Sequence, residues 1–486
     1  MGGTGRCPRP SARQPHPNPP FILRRGLAAA KARLVISKTA WMVRVLLGLA
    51  SNLAVEQERV GREYLDLAGK LTSRLYGFLK RRPRIRRAAV AAFMAVDRAL
   101  ARPGGQHGEP EGQMAVEPST RCFVQRFAGS EGGSQASWRE VQPAEHIRNV
   151  TAGGLHNFID REFAAVLDVA VPPAFVATIP NGRVVGEHGA VMSSDGALLG
   201  DLSTPIGDLR AHILGANGSV PDPTGLAVDV QGRPRRLRGS AAVLSVFAGR
   251  NYFHWLFDVL PRLGLIMAAG IDLARLNAFI VPSHFARFQI ETLHAFGISR
   301  RRTVSSFVNR HLVADELVAP SLPRPTGVVP AWVCEFLRSS FLPVRPADGA
   351  SYERIYIVRK VTDHGLLAQE EALTRRLAQH GFQPLAMERY TIGEKAWLMD
   401  KAEIVIGPSG GGMCNIVFCR PGTKIVELRV QPFPVMEAWD IANRIGLSFY
   451  DVLPEGYGDA RRQAVARGSI GIDAVFETLE FAGCLG

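Results

Sequence analysis

The chain has 486 residues, which calls for two or three domains, and its 46% hydrophobic content is ample for large cores. A mean hydropathy of +0.03 argues against a polytopic membrane protein, and six scattered cysteines without a CxxC pair indicate neither a zinc ribbon nor a disulfide framework and read as reduced thiols. The net charge of +14 sits at one end: residues 1–104 hold 21 Lys and Arg against 5 Asp and Glu, leaving 37 basic and 39 acidic residues for a nearly neutral body.

Residues 1–20, rich in Pro, Arg and Gly, are expected to be disordered. From Phe21 to about Ala101 an Ala-, Leu- and Arg-rich pattern predicts helices, so residues 1–104 read as a basic helical extension. Leu34–Val55 is the one transmembrane candidate, but Lys38 and Arg44 interrupt it, and a basic amphipathic surface helix fits better. The Lys80–Arg87 cluster suits anionic lipid head groups, so residues 24–87 are a candidate contact with an anionic membrane surface. A solvated extension and an organelle presequence are the alternatives. Nucleic acid is not expected, because aromatic–basic repeats and zinc spacings are missing. No signal peptide is evident, which places the chain in the cytoplasm, peripheral on the inner membrane face if the head binds lipid.

Residues 105–159 read as a linker with loops, rich in Gly, Pro, Gln, Ser and Glu. The stretch 160–247 is strand-like, with hairpin turn signals at Asn181-Gly182 and Asp195-Gly196. Tyr252–Leu260 then predicts a helix that Pro261 should end or kink. A strand at Ala278–Pro282, a helix at Phe285–Phe296 and a strand at Leu312–Ala319 come next. Proline-rich stretches at 320–330 and 343–347 flank a helix at Trp332–Phe341 and mark a domain crossing. After Tyr352 short strands and helices alternate regularly: strands at Ile355–Val358, Phe382–Ala386, Ile404–Ile406, Ile425–Leu428 and Phe449–Val452, helices at Glu370–Gln379, Ile392–Lys401 and Met436–Arg444. This alternation predicts an α/β fold with a covered parallel sheet. The domains expected are 160–345, 346–455 and a C-terminal tail or helix over 456–486.

Ligands bind such sheets beyond the carboxyl ends of the strands. That rim carries Arg359 and Lys360, then Pro408 and the turn Ser409-Gly410-Gly411-Gly412-Met413-Cys414-Asn415, then Glu427. The glycines admit close approach of a phosphate to backbone N–H groups at the start of a helical segment. Two cations at a strand end suit a diphosphate, and a carboxylate on the next strand suits ribose hydroxyls. A tightly packed βαβ turn would use the same glycines. A second cluster is Asn251 to Leu263, where His254 and Asp258, four apart, share a helical face. A carboxylate beside an imidazole orients it and raises its basicity, as a general base requires. Arg262 is the candidate to neutralise Asp258 instead, and a histidine packed among Tyr252, Phe253, Trp255 and Phe257 is the plain alternative. No P-loop, HExxH, GxSxG or dinucleotide fingerprint occurs, and Asp-x-Asp is missing, so no local carboxylate pair offers itself to a metal.

These motifs, in this order, resemble glycosyltransferase family 61. The resemblance rests on Asn251–Leu263, with its aromatic-His-Trp-x-x-Asp core, on Ile355–Arg359, and on Gly407–Asn415 with Phe418, Pro421-Gly422 and Val426-Glu427-Leu428. It covers about residues 170–455. Members commonly read Gly-x-His-Gly-Ala-Gly-Leu-x-Asn in the glycine turn. Here Ser409 stands at the His position and can donate a hydrogen bond but carries no charge. Glu394-Lys395 stands where the family tends to have Glu-Gln. The resemblance implies a GT-B-like architecture, two Rossmann-like domains facing across a cleft. It also implies inverting transfer of a sugar from a nucleotide-sugar to a glycan acceptor, without a bound metal or other cofactor. In bacteria such members accompany capsule or exopolysaccharide synthesis. On that basis Asp258 or His254 is the base, Arg359, Lys360, Ser409 and the Gly410–Gly412 amides hold the diphosphate, Asn415 supports the turn or donor, and Glu427 accepts the ribose hydroxyls. A pyruvyl transfer on the same fold class and an inactive, partner-binding scaffold are the competing readings.

Overall fold

The computed structural model describes residues 116–127, 136–150, 166–203, 233–344, 349–358, 370–429, 436–454 and 470–485. The basic head, including residues 24–87, lies outside them, as do Arg359 and Lys360. By its internal contacts the chain divides into two compact units, Met1–Gly108 and Glu109–Gly486, and all the described residues belong to the second.

In chain order the strands are β1 (Val116–Glu117), β2 (Ser137–Gln142), β3 (Glu145–Arg148), β4 (Asp168–Val171), β5 (Ala174–Pro180), β6 (Arg183–Val185), β7 (Ala190–Met192), β8 (Leu198–Leu199), β9 (Arg235–Val243), β10 (Ala278–Val281), β11 (Thr303–Ser305) and β12 (His311–Pro320). The second half adds β13 (Arg354–Ile357), β14 (Gln383–Leu385), β15 (Ile404–Pro408), β16 (Lys424–Leu428) and β17 (Ser448–Val452). The longer helices are α1 (Thr120–Phe127), α2 (Leu260–Ala268), α3 (Arg287–Ala295), α4 (Ala331–Phe341), α5 (Glu370–Gln379), α6 (Ile392–Lys401), α7 (Glu437–Ile445) and α8 (Ile472–Phe481).

Two sheets dominate. In the first, of ten strands, β12, β9, β10 and β11 run parallel in that spatial order. Antiparallel β5 and β6 share the other edge of β12. The second sheet is five-stranded and wholly parallel, in the order β14-β13-β15-β16-β17. Its chain order 2-1-3-4-5 is that of a doubly wound sheet, with the topological switch between its first and third strands, β13 and β15. The first sheet has a comparable switch between β9 and β12, the first and last of its parallel strands. β10 (Ala-Phe-Ile-Val) and β15 (Ile-Val-Ile-Gly-Pro) are continuously buried, as strands covered on both faces must be.

One core cluster runs through both sheets, from Leu244 and Trp255 through Leu337 and Ile357 to Phe418 and Trp439. Helix α4, at the expected domain crossing, is buried within it through Val333, Cys334, Leu337 and Phe341. A second cluster covers the far face of the ten-stranded sheet. A third joins the five-stranded sheet to α5 and α8, so the C-terminal helix, expected as a tail, packs into the core through Val475, Phe476 and Leu479.

Three sequence expectations need correction. Residues 105–159 are not all linker: β1 pairs with β8, β2 pairs with β5, and α1 buries Phe123 and Val124. Asn181-Gly182 does not close a hairpin. β5 and β6 both pair with β12 in one register, and between them Asn181, at φ 51°, donates its amide to Asp315 O while Gly182 O accepts from Ala314 N. Asp195-Gly196 does turn β7 into β8. Pro261 does not stop its helix. Tyr252–His254 is one α turn, Trp255–Val259 a π turn, and α2 then runs on to Ala268. The π turn bonds Leu260 N to Trp255 O, five residues back, so the widened turn accommodates the proline ring and its missing N–H.

Candidate active site

The first element of the site starts where β9 ends. Ala248 takes a positive φ of 52°, and Gly249 passes Pro282 so closely that a Cβ would come within 2.6 Å of its ring. Asn251 then caps the turn, its Oδ1 accepting from Phe253 N at 3.0 Å. Trp255, Leu256, Phe257 and Val259 are all fully buried, and Trp255 donates to Thr292 Oγ1 at 2.8 Å. With those side chains anchored, the polar face of the π turn carries His254 and Asp258, and His254 Nδ1 lies 2.7 Å from Asp258 Oδ2.

Arg262 makes no direct ion pair with Asp258, although their charges act on each other. It is fully buried and donates to Ser245 O at 2.8 Å and to Pro320 O, tying the ends of β9 and β12 together. The partner of Asp258 is Arg324, whose Nε donates to Oδ1 at 2.8 Å and Nη2 to Oδ2 at 2.9 Å. Burial pushes the Asp258 pKa up. The Arg324 charge and the hydrogen bonds from His254 and Arg324 outweigh that and hold it at about 2. Arg324 lies between two prolines in the connection after β12 and escaped sequence reasoning. Its one signal was its place just beyond the carboxyl end of a parallel strand.

The second element is the glycine turn after β15. Gly407 packs so closely on β13 that a Cβ would meet Ile357 Cβ at 2.9 Å, and Gly410 has φ 138°. The turn leads into a six-residue 3-10 helix, Met413–Phe418, where an ordinary helix was expected. Arg338 of α4 caps its far end, donating to Val417 O at 2.7 Å and Cys419 O at 2.6 Å. Among the described residues the amides of Gly410, Gly411 and Gly412 donate no hydrogen bond, and all three residues are partly exposed. They can receive an anion.

Ser409 and Glu427 stand behind this turn, where sequence reasoning placed them on its rim. Ser409 is 1% exposed, and both its amide and its hydroxyl donate to Leu428 O, at 2.9 and 3.2 Å. Glu427 is fully buried, in register with Gly407 on one side and Asp451 on the other. Neither of its carboxyl oxygens has a hydrogen bond of good geometry, although the Ser409 hydroxyl is close. Burial raises its pKa to about 8 against the opposing charge of Arg429.

The two elements meet. Tyr252 Oη donates to Asn415 Oδ1 at 2.8 Å, and Asn415 Nδ2 donates to Gly412 O at 2.8 Å. Lys395 of α6, nearly buried, donates to Tyr252 Oη at 3.2 Å and lies 4.4 Å from the centre of its ring. The helix bearing His254 and Asp258 is therefore bonded to the glycine turn by its first residue. From the other side, Asp440 and Glu437 of α7 lie close enough to Arg324 for their charges to act on it, and Asp440 accepts from Val329 N at 2.6 Å. The turn bearing His254 and Asp258 is thus tied through Tyr252 and Asn415 to the nest of glycine amides.

Residues 252–426, from this tyrosine to the middle of β16, match the family model Glycosyltransferase 61. Over this segment the chain is similar to the glycosyltransferase 61 family. Comparison with curated proteins gave no match. The glycosyltransferase 61 segment contains the His254–Asp258 turn, Arg324, the Tyr252–Asn415 bond and the glycine turn, so the family match and the site coincide. Among the described residues no group of three or more His, Cys, Asp or Glu side chains is arranged to hold a metal, and no helix is long and apolar enough to cross a membrane.

Proposed function

We propose that this glycosyltransferase moves a sugar from a nucleotide-sugar donor to a hydroxyl of a glycan acceptor, with inversion and in polysaccharide synthesis. The observation that carries this reading is the Tyr252–Asn415 bond, which sets a general-base candidate beside the glycine amides. Inversion needs one base on the acceptor and a stabilised leaving diphosphate. Both Asp258 oxygens are occupied and its carboxyl is held too acidic to take a proton, so His254 is the base, through Nε2. The acceptor O–H proton passes to Nε2, the acceptor oxygen bonds the anomeric carbon, and the bond from that carbon to the diphosphate breaks. The diphosphate leaves as an anion onto the Gly410–Gly412 amides, with Arg359 and Lys360, which follow β13 in the sequence, supplying positive charge in place of a metal. Asn415 holds the turn, and Ser409 and Glu427 back it from behind. The two sheets, which share one core, are read as a GT-B-like arrangement.

The test is a thermal-shift series with UDP, GDP, CMP and UDP-sugars, because a ligand bound only by the folded state raises Tm. One nucleotide should raise Tm by a few degrees, and His254→Gln should keep that shift while losing transfer by roughly 100-fold or more. Absence of any nucleotide shift would move the reading to an inactive scaffold, and full transfer by His254→Gln would remove it as the base.

A further inference from the structure

We infer that Arg324 is a positioning residue of this site: its planar fork fixes the Asp258 carboxylate and thereby orients the His254 ring, leaving Nε2 as its proton acceptor. The inference deepens the proposed function and rests on His254 as base. Its geometric grounds are independent of any substrate.

Arg324 is 9% exposed and spends its donors in three directions. Nε and Nη2 take one Asp258 oxygen each, and Nη1 donates to Gly327 O at 2.7 Å. Its guanidinium carbon stands 4.6 Å from the centre of the Phe253 ring, one residue before His254. A bidentate fork locks the plane of a carboxylate in a way a point charge does not. With that plane locked, the remaining direction at Oδ2 is left to His254 Nδ1, which then carries the hydrogen and leaves Nε2 as acceptor. The connection bearing Arg324 is itself held from the other half of the molecule, because Asp440 binds Val329 N.

The surrounding charges act in the same sense. The groups around the pair are Asp258 from the same turn, Arg262 one turn on, whose charge acts on Asp258 without a direct bond, Arg324 from the connection after β12, and Glu437 and Asp440 from α7, whose charges act on Arg324. Without the Arg324 guanidinium Asp258 faces the ring with only the unbonded charge of Arg262 to offset it, and a neighbouring positive charge that opposed protonation is gone. Both changes favour imidazolium. The His254–Asp258 pair then keeps its proton to higher pH. A purely structural role has the opposite sign, since a loosened connection would part Asp258 from His254 and withdraw the carboxylate that favours the proton.

The experiment is a pH titration of His254 by NMR in the full chain with labelled histidine, its resonance assigned by loss in His254→Gln. Arg324→Gln should raise the midpoint by about one pH unit or more. Arg324→Lys, which keeps a charge but not the fork, should raise it by less, and Asp258→Asn should lower it. A midpoint in folded Arg324→Gln equal to or below that of the native chain overturns the inference. If Gln at this position does not fold, an unchanged or lowered midpoint in Arg324→Lys overturns it equally. The titration needs no substrate, so transfer surviving in His254→Gln would sink the base assignment separately.

Discussion

At Glu427 the environment decides the charge. A carboxyl with no solvent and no well-formed hydrogen bond is held neutral, its pKa raised to about 8 from 4.5 mainly by burial. The folded state therefore binds this proton more tightly than the unfolded chain, and stability falls as pH rises from about 4.5 through about 8. Glu427→Gln keeps a neutral side chain of the same shape. Its melting temperature should exceed that of the native chain by roughly 5 °C or more at pH 9, with the difference vanishing near pH 5. An equal difference at both pH values would show that Glu427 is not buried neutral. Asp258 is the converse case. It is also buried, but Arg324 holds it ionised, so two buried carboxyls are driven to opposite states by whether a cation bonds them.

At the scale of elements, the site depends on two turns that regular helices would not supply. The π turn lets Pro261 follow without breaking the helix and keeps His254 and Asp258 on one face. The short 3-10 helix after the glycine turn is held on that side through Tyr252, which Lys395 supports in turn. Tyr252→Phe keeps the ring and deletes the hydroxyl, leaving buried Asn415 and Lys395 without their shared partner. It should cost about 1–3 kcal/mol of stability, read by denaturant unfolding, and weaken nucleotide binding while Asn415 loses its anchor. Unchanged stability and unchanged nucleotide affinity would show that the bond couples nothing.

At the scale of the whole molecule, the two sheets share one core, while the basic head belongs to the other compact unit. A chain beginning at Glu109 should keep the melting temperature of the full chain within a degree or two, checked by calorimetry, because the core residues of the described unit lie after that point. If the head is a lipid contact, as its surplus of sixteen positive charges suggests, the full chain should sediment with anionic vesicles at low salt and the shortened chain should not. Equal sedimentation of both would remove the head from any membrane role.

The strands and helices after Tyr352 were legible in the sequence, and α5 and α6 match the predicted spans to the residue, because a covered parallel sheet imposes short apolar runs that local pattern records. The motifs around His254, Asp258 and the glycine turn were legible for a similar reason, since their chemistry needs particular residues at close spacing. Local pattern misassigned Arg262 and overlooked Arg324, because a charge beside Asp258 in sequence points elsewhere while one 66 residues away arrives on the neighbouring strand end. It also set Ser409 and Glu427 on the rim. Which side of a turn is left exposed depends on the hydrogen bonds of the adjacent strand, here the carbonyl of Leu428. The sequence by itself determined the alternation of elements and the residues able to do chemistry. Burial, strand order and the pairing of charges distant along the chain were decided only by the tertiary structure, because each depends on which elements become neighbours in space.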